Sequence, residues 1–76
     1  MKTVSLLGDP TPRKVMDKVF RTLIGQNLQK ASDFMQMVES SVNLNAKNTK
    51  NMNHRDLAVL QVCHLANKYD ILVEIK

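Results

Sequence analysis

Hydrophobic and polar residues alternate near both ends of the chain, which is the pattern of a strand with one buried face. Residues 3–7 place Val4 and Leu6 on one face of a short strand. Pro10 ends that strand, because proline cannot donate to a ladder and restricts the residue before it. Residues 69–76 alternate more regularly and form the best predicted strand, whose apolar face comprises Tyr69, Ile71, Val73 and Ile75.

Between these strands, apolar residues recur at helical spacing in two stretches. Thr11 followed by Pro12 predicts a helix start, since a hydroxyl caps the first turn and proline fits its first position. Gly25 predicts the end of this helix through a left-handed cap. A second helical pattern follows, with Leu28, Ala31, Met35 and Val38 on one apolar stripe and Phe34 beside it. The spacing leaves open whether residues 12–39 form two helices or one helix kinked at Gly25.

The second half of the chain predicts a hairpin, a helix and the final strand. Residues 42–46 alternate as a strand, residues 47–50 suit a turn, and a short returning strand at residues 51–52 would complete the hairpin. Asn53 is a good cap for a helix over residues 54–66. Apolar side chains surround this helix almost completely, so we expect it to be well buried.

This order of elements predicts an α+β fold in a single domain over residues 1–76. We expect a two-layer open-faced sandwich, in which a largely antiparallel sheet of three to four strands carries the helices on one face. A chain of 76 residues is long enough for only one small core.

Composition and charge narrow the class of protein only slightly. Lys and Arg number 11 against 7 Asp and Glu, which gives a formal net charge of +4. Nucleic-acid binding needs phosphate neutralisation, but the three aromatic residues, Phe20, Phe34 and Tyr69, are too few for a base-stacking platform. The single cysteine excludes an internal disulfide framework. The first apolar run is too short for a signal peptide and no run is long enough for a membrane span, so we expect a cytoplasmic domain without membrane contact.

The chain from about residue 28 to 76 resembles the HPr family, the small phosphocarrier proteins of the bacterial sugar phosphotransferase system, and their regulatory paralogues. The match consists of a helix leading into residues 42–44, the start of an apolar helix at residues 53–57, and the final strand around residues 69–73. The helix at about residues 12–24 is extra. The resemblance implies that it covers the surface which the family's terminal helix covers.

Two departures from the family pattern change the expected function. The resemblance places the phosphoryl-accepting histidine just before the helix that begins at Leu28, and residues 23–27 hold no histidine there. The family's regulatory serine aligns with Asp56, which would supply a permanent negative charge in place of a phosphate. The resemblance therefore implies an HPr-like domain that has lost its carrier chemistry.

The remaining candidates for chemistry have simpler structural interpretations. His54 and Arg55 at a helix start would suit a relocated phosphorylation site, but Asp56 would repel the phosphoryl group, and an exposed first-turn histidine is the commoner case. Cys63 and His64 are adjacent on a helix and point about 100° apart, so they cannot easily grip one ligand. No catalytic, metal-binding or cofactor-binding motif is present. We expect no enzyme activity, no metal and no cofactor.

The sequence and the resemblance together predict a non-catalytic HPr-like regulatory or protein-binding domain. The resemblance implies a partner surface made of the loop before the first family helix and the start of the second, namely Gly25, Gln26, Asn27, Asn53, His54, Arg55 and Asp56. Two alternatives stay open. One is a small basic nucleic-acid-binding module that uses the 12–24 helix and the 47–55 turn, and the other is an oligomerising structural subunit, for example a homodimer.

Overall fold

A computed structural model describes residues 1–44 and 54–76 of the chain. Two strands enclose three helices in the chain order β1 (Lys2–Leu6), α1 (Pro12–Ile24), α2 (Leu28–Ser41), α3 (His54–Asn67) and β2 (Ile71–Ile75). The predicted turn at residues 47–50, the strand at residues 51–52 and the Asn53 cap lie outside the described residues.

The described strands form one two-stranded sheet, in which β1 and β2 run parallel with Lys2 opposite Ile71 and Leu6 opposite Ile75. The prediction of a largely antiparallel sheet of three to four strands was therefore wrong. The helices between β1 and β2 bring the chain back to the end of the sheet where β1 begins, so β2 runs in the same direction as β1. An antiparallel hairpin had been expected from the alternation after α2.

That alternation does not make residues 42–44 a strand. Val42 has extended backbone angles (φ −121°, ψ 133°), but its N–H donates to the Val38 carbonyl and closes α2. In the sequence, a buried apolar residue that caps a helix with an extended backbone cannot be told apart from the first buried residue of a strand. The remainder of the predicted strand, residues 45–46, lies outside the described residues.

Residues 12–39 form two helices, and local hydrogen bonds explain the break between them. The Asn27 backbone is extended (φ −160°) and its Oδ1 accepts from the N–H groups of Gln29 and Lys30 at 2.9 and 3.1 Å, which starts α2 afresh. Gly25 follows α1 with φ −69° and ψ −13°, so the predicted left-handed cap was wrong. Positive φ angles occur among the described residues at Gly8 and Asp70, on either side of the helical region.

The core lies between the helices and one face of the sheet. In β1 the even-numbered residues face the helices, as buried Val4 shows, and in β2 buried Ile71 does the same. Phe34 of α2 is fully buried and packs edge-to-face with the Tyr69 ring, with 5.9 Å between centroids and 82° between ring planes. An edge-to-face pair of this kind adds about 0.5–1.5 kcal/mol beyond its buried area. The helices also contribute Val15, Val19, Leu23, Val38, Val62 and Ala66.

The two glycines should respond differently to alanine. Gly8 has φ 78° in open space, so Gly8→Ala meets no neighbour but must hold a left-handed backbone, and we expect it to lower the free energy of unfolding by about 1 kcal/mol. Gly25→Ala is the matched control. Its new Cβ would lie 3.6 Å from the Thr22 carbonyl oxygen, an ordinary contact, so we expect no loss of stability. Urea unfolding followed by circular dichroism measures both, and an equal loss in the two variants would contradict the assigned backbone angles.

Candidate functional site: an apolar groove on α3

The clearest candidate for a binding site is an open groove between the C-terminal end of α2 and the outer side of α3. Its volume is about 450 Å³ and its lining is mainly apolar, comprising Ser41, Val42, Leu57, Leu60, Gln61, His64 and Leu65. Val42 and Leu65 are buried and form the floor, whereas Leu57 and Leu60 are 46% and 64% exposed and rise on the α3 side.

The position of α3 in the fold explains why these leucines remain exposed. The helix packs against α1, β2 and α2 through one side only, where Ala58, Val59, Val62, Leu65 and Ala66 are buried. Leu57 and Leu60 lie on the side that no described element covers. The expectation of a well-buried helix was therefore wrong for this face, because apolar residues occupy more of the helix surface than the described elements cover.

A second depression adjoins the groove on the other side of Leu60. It has a volume of about 290 Å³ and is lined by Asp9, Pro10, Asp56, Val59, Leu60 and Ile75. Leu60 lines both depressions, so it forms a ridge between them. Ile75 is 42% exposed, which extends the apolar surface from α3 to the end of the sheet.

Negative charge surrounds this apolar surface at two points. The C-terminal end of α2 supplies Ser41 and Val42 to the groove, and the last turn of that helix has no basic residue to offset the partial negative charge of its carbonyls. Asp56 contributes a carboxylate to the second depression, where Asp9 lies as well. The end of α2 therefore favours a cation beside the groove, whereas the carboxylates of Asp9 and Asp56 both lie next to the Arg55 guanidinium.

Arg55 joins the start of α3 to the loop that follows β1. Its Nη2 donates to Asp9 Oδ2, and its Nε lies 3.9 Å from Asp56 Oδ1, an ion pair too long for a hydrogen bond. The Nε atom is buried and makes no hydrogen bond to the described residues, although the side chain as a whole is 25% exposed. Arg55 thus has a structural contact that the sequence did not reveal.

The structure divides the partner surface that the resemblance implied. His54, Arg55 and Asp56 begin α3, close to Asp9, which precedes α1. Gly25 and the two residues after it, Gln26 and Asn27, follow the other end of α1, and this helix of 13 residues is about 20 Å long. Asn53 lies outside the described residues. The two halves are therefore at opposite ends of α1, and the leucine groove adjoins only the α3 half.

Cys63 and His64 do not form a joint site. His64 is exposed and lines the groove, whereas Cys63 is half-buried beside the core. Burial raises the pKa of the Cys63 thiol above its ordinary value, and a hydrogen bond with its own backbone offsets part of that rise. The thiol is therefore protonated and weakly nucleophilic near neutral pH.

The part of the chain that the structure describes offers neither a metal site nor a membrane-spanning helix. No three His, Cys, Asp or Glu side chains within residues 1–44 and 54–76 lie close enough together to hold a metal ion. In the same part of the chain, none of the helices has the length and hydropathy needed to cross a membrane.

Comparison with known proteins gave no relative: no protein family, curated protein or solved structure matches the chain. The resemblance to the HPr family therefore stays a prediction. Interpretation of the site depends on its own geometry.

The Arg55–Asp9 contact should contribute modestly to stability, because Asp9 is largely exposed. In a double-mutant cycle of Arg55→Gln and Asp9→Asn, we expect a coupling of about 0.5–1 kcal/mol that falls as salt is added. Urea unfolding of the four proteins at low and high ionic strength measures it. A coupling of zero at low salt would mean that the contact does not form in solution.

Cys63 should react slowly with iodoacetamide in the native protein. Because the thiol pKa is raised, the thiolate fraction at pH 8 is smaller than in the unfolded chain, and partial burial slows access further. The native thiol keeps its proton at pH values at which the unfolded thiol has already lost it. The free energy of unfolding is therefore highest below the pKa of the unfolded thiol and falls as the pH rises from that pKa to the native one. Alkylation rates in buffer and in urea, compared by intact mass, give the test, and equal rates would contradict it.

Proposed function

We propose that the chain is a non-catalytic protein-binding domain whose binding surface is the α3 groove. The observation that carries this proposal is the exposure of Leu57 and Leu60 one helical turn apart, beside a floor of buried Val42 and Leu65. Covering an exposed leucine side chain completely is worth about 1.5–3 kcal/mol, so these two residues hold much of the binding energy that this surface can offer.

The geometry favours a helical segment of another protein as the occupant. A groove with leucines at i and i+3 along one wall suits an amphipathic helix that places its own apolar face against them. The last turn of α2 carries no basic residue, so the partial negative charge of its carbonyls favours a basic residue next to that apolar face. We therefore propose a partner segment that is amphipathic, helical and positively charged.

This proposal keeps one part of the function expected from the sequence and leaves the others untested. Protein binding remains, now centred on α3 residues that the resemblance did not select. An HPr-like regulatory role for Asp56 stays a prediction, and so does the absence of catalysis. A second copy of the chain is a competing occupant of the same groove, which the experiment below distinguishes.

Replacing Leu60 with serine should weaken binding without unfolding the domain, because the side chain is 64% exposed. The probe is a fluorescent amphipathic peptide of alternating leucine and lysine pairs that forms a helix, titrated by anisotropy. We expect Leu60→Ser to reduce its affinity about tenfold, the loss of roughly one leucine's burial. Leu28→Ser is the matched control, since Leu28 is 72% exposed at the start of α2 and lies outside the groove.

Two results would contradict the proposal. Equal losses in the two leucine variants would show that the peptide binds any exposed leucine. Equal binding of a leucine–glutamate peptide would remove the proposed charge preference. Sedimentation of the protein alone gives a third test: a dimer that Leu60→Ser dissociates would make a second copy the natural occupant of the groove.

A further inference from the structure

A second surface, separate from the α3 groove, lies between α1 and β1. It is a depression of about 450 Å³ lined by Leu6, Lys14, Asp17, Lys18, Arg21 and Thr22. Asp17 and Arg21 form an ion pair with 3.1 Å between Oδ2 and Nε, so they largely neutralise each other. Lys14 and Lys18 form no ion pair within residues 1–44 and 54–76, and they give the depression its positive charge.

The cationic flank of α1, formed by Lys14 and Lys18, borders β1 at Leu6. The buried residues of α1 face the core, and Phe20 and Ile24 turn towards α2, where they line another depression with Leu28. Lys14 and Lys18 share one side of the helix, since four residues correspond to just over one turn. This side lies across the buried stripe from Phe20 and Ile24. The β1 residue that lines the cationic depression is Leu6, which shares the helix-facing side of the strand with Val4.

The hydrogen bonds of the sheet show which backbone groups of β1 point towards β2. Lys2 N–H donates to the Asp70 carbonyl at 3.0 Å, the Leu6 carbonyl accepts from Lys76 N–H at 2.9 Å, and Gly8 N–H donates to the Lys76 carbonyl at 2.9 Å. Even-numbered residues of β1 therefore bond to β2. The N–H and C=O groups of Thr3 and Ser5 point the other way, towards an edge that pairs with no described element.

From this juxtaposition we propose that an extended, acidic segment of another protein adds to the outer edge of β1 as a new strand. Its backbone bonds to Thr3 and Ser5, and its carboxylates meet Lys14 and Lys18 on the helix-facing side. Main-chain hydrogen bonds to a sheet edge supply affinity in this mode, and alternate side chains supply specificity. The partner is thus recognised by two features, an extended backbone and acidic residues at every second position.

The spacing of the lysines matches this pattern. Lys14 and Lys18 are separated by four residues of helix, which corresponds to a rise of about 6 Å. Side chains at i and i+2 on one face of a strand are about 6.6–6.8 Å apart. Two glutamates separated by one residue would therefore match the spacing of the two lysines.

A nucleic acid is the competing ligand for positive charge, and the depression suits it less well. None of the residues that line the depression is aromatic, so bases have no stacking platform. A nucleic acid would also lack the peptide backbone that pairs with the outward N–H and C=O groups of β1.

The test uses a short fluorescent peptide in which glutamate alternates with threonine and valine, titrated by anisotropy. A peptide of the same composition with its glutamates grouped together is the first control. The double variant Lys14→Gln/Lys18→Gln should weaken binding about tenfold, as expected for the loss of two charged contacts. Lys30→Gln/Lys68→Gln is the matched control, since it removes the same charge from exposed positions elsewhere.

Ser5→Pro tests the backbone part of the proposal. Proline removes the outward N–H of Ser5 and breaks no bond to β2, so circular dichroism should show an intact fold. We expect this variant to weaken peptide binding about fivefold through the lost hydrogen bond. In the unchanged protein, the peptide should slow amide exchange at Thr3 and Ser5 more than at Val4.

Three results would overturn the proposal. The first is that Ser5→Pro binds the peptide as tightly as the unchanged protein, and that the peptide does not slow amide exchange in the unchanged protein. The surface would then be a charged patch to which no strand is added. Equal binding of the grouped peptide would remove the requirement for alternation. Tighter binding of a single-stranded oligonucleotide, lost in the lysine variant but kept in Ser5→Pro, would assign the surface to nucleic acid. A Ser5→Pro protein that fails to fold leaves the lysine variants and the exchange experiment as decisive measurements.

Discussion

β1 and β2 can pair in the same direction only because the chain returns to its starting edge through three helices, and the rest of the structure depends on that return. Lys2 pairs with Ile71, so the contact that closes the sheet spans nearly the whole chain. α1 and α3 must then lie against one face of the sheet, with α2 behind them around Phe34. Closing so long a loop is costly in entropy, and non-local pairing of this kind slows folding.

The same constraint explains why two different surfaces remain uncovered. Among the described residues, the two-stranded sheet is too narrow to cover all three helices, so α3 keeps an apolar side beyond the reach of α1 and β2. A separate surface lies where the cationic flank of α1 borders β1. The apolar groove and the strand edge therefore share no lining residue, and their proposed ligands differ in charge and in backbone conformation.

Local signals in the sequence predicted the positions of the described elements well, whereas non-local relations were missed. Thr11, Pro12 and Asn27 act within a few residues, and the helix boundaries near them follow from caps and spacing. Strand direction depends on how distant segments meet, and the alternation at Val42 looked like a strand although that residue caps α2. The site was missed for a related reason: Leu57 and Leu60 belong to an almost uniformly apolar helix, and only the packing shows which side is exposed.

The parallel pairing also determines how the domain would carry mechanical load. Lys2, the first residue of β1, bonds to Asp70, and Lys76, just after β2, bonds to Leu6 and Gly8 at the other end of the ladder. Opposed forces applied at Lys2 and Lys76 would pull the strands lengthwise past each other. All the inter-strand hydrogen bonds would then share the force and have to break together. Such a shear arrangement resists extension far better than a hairpin, whose bonds open one at a time.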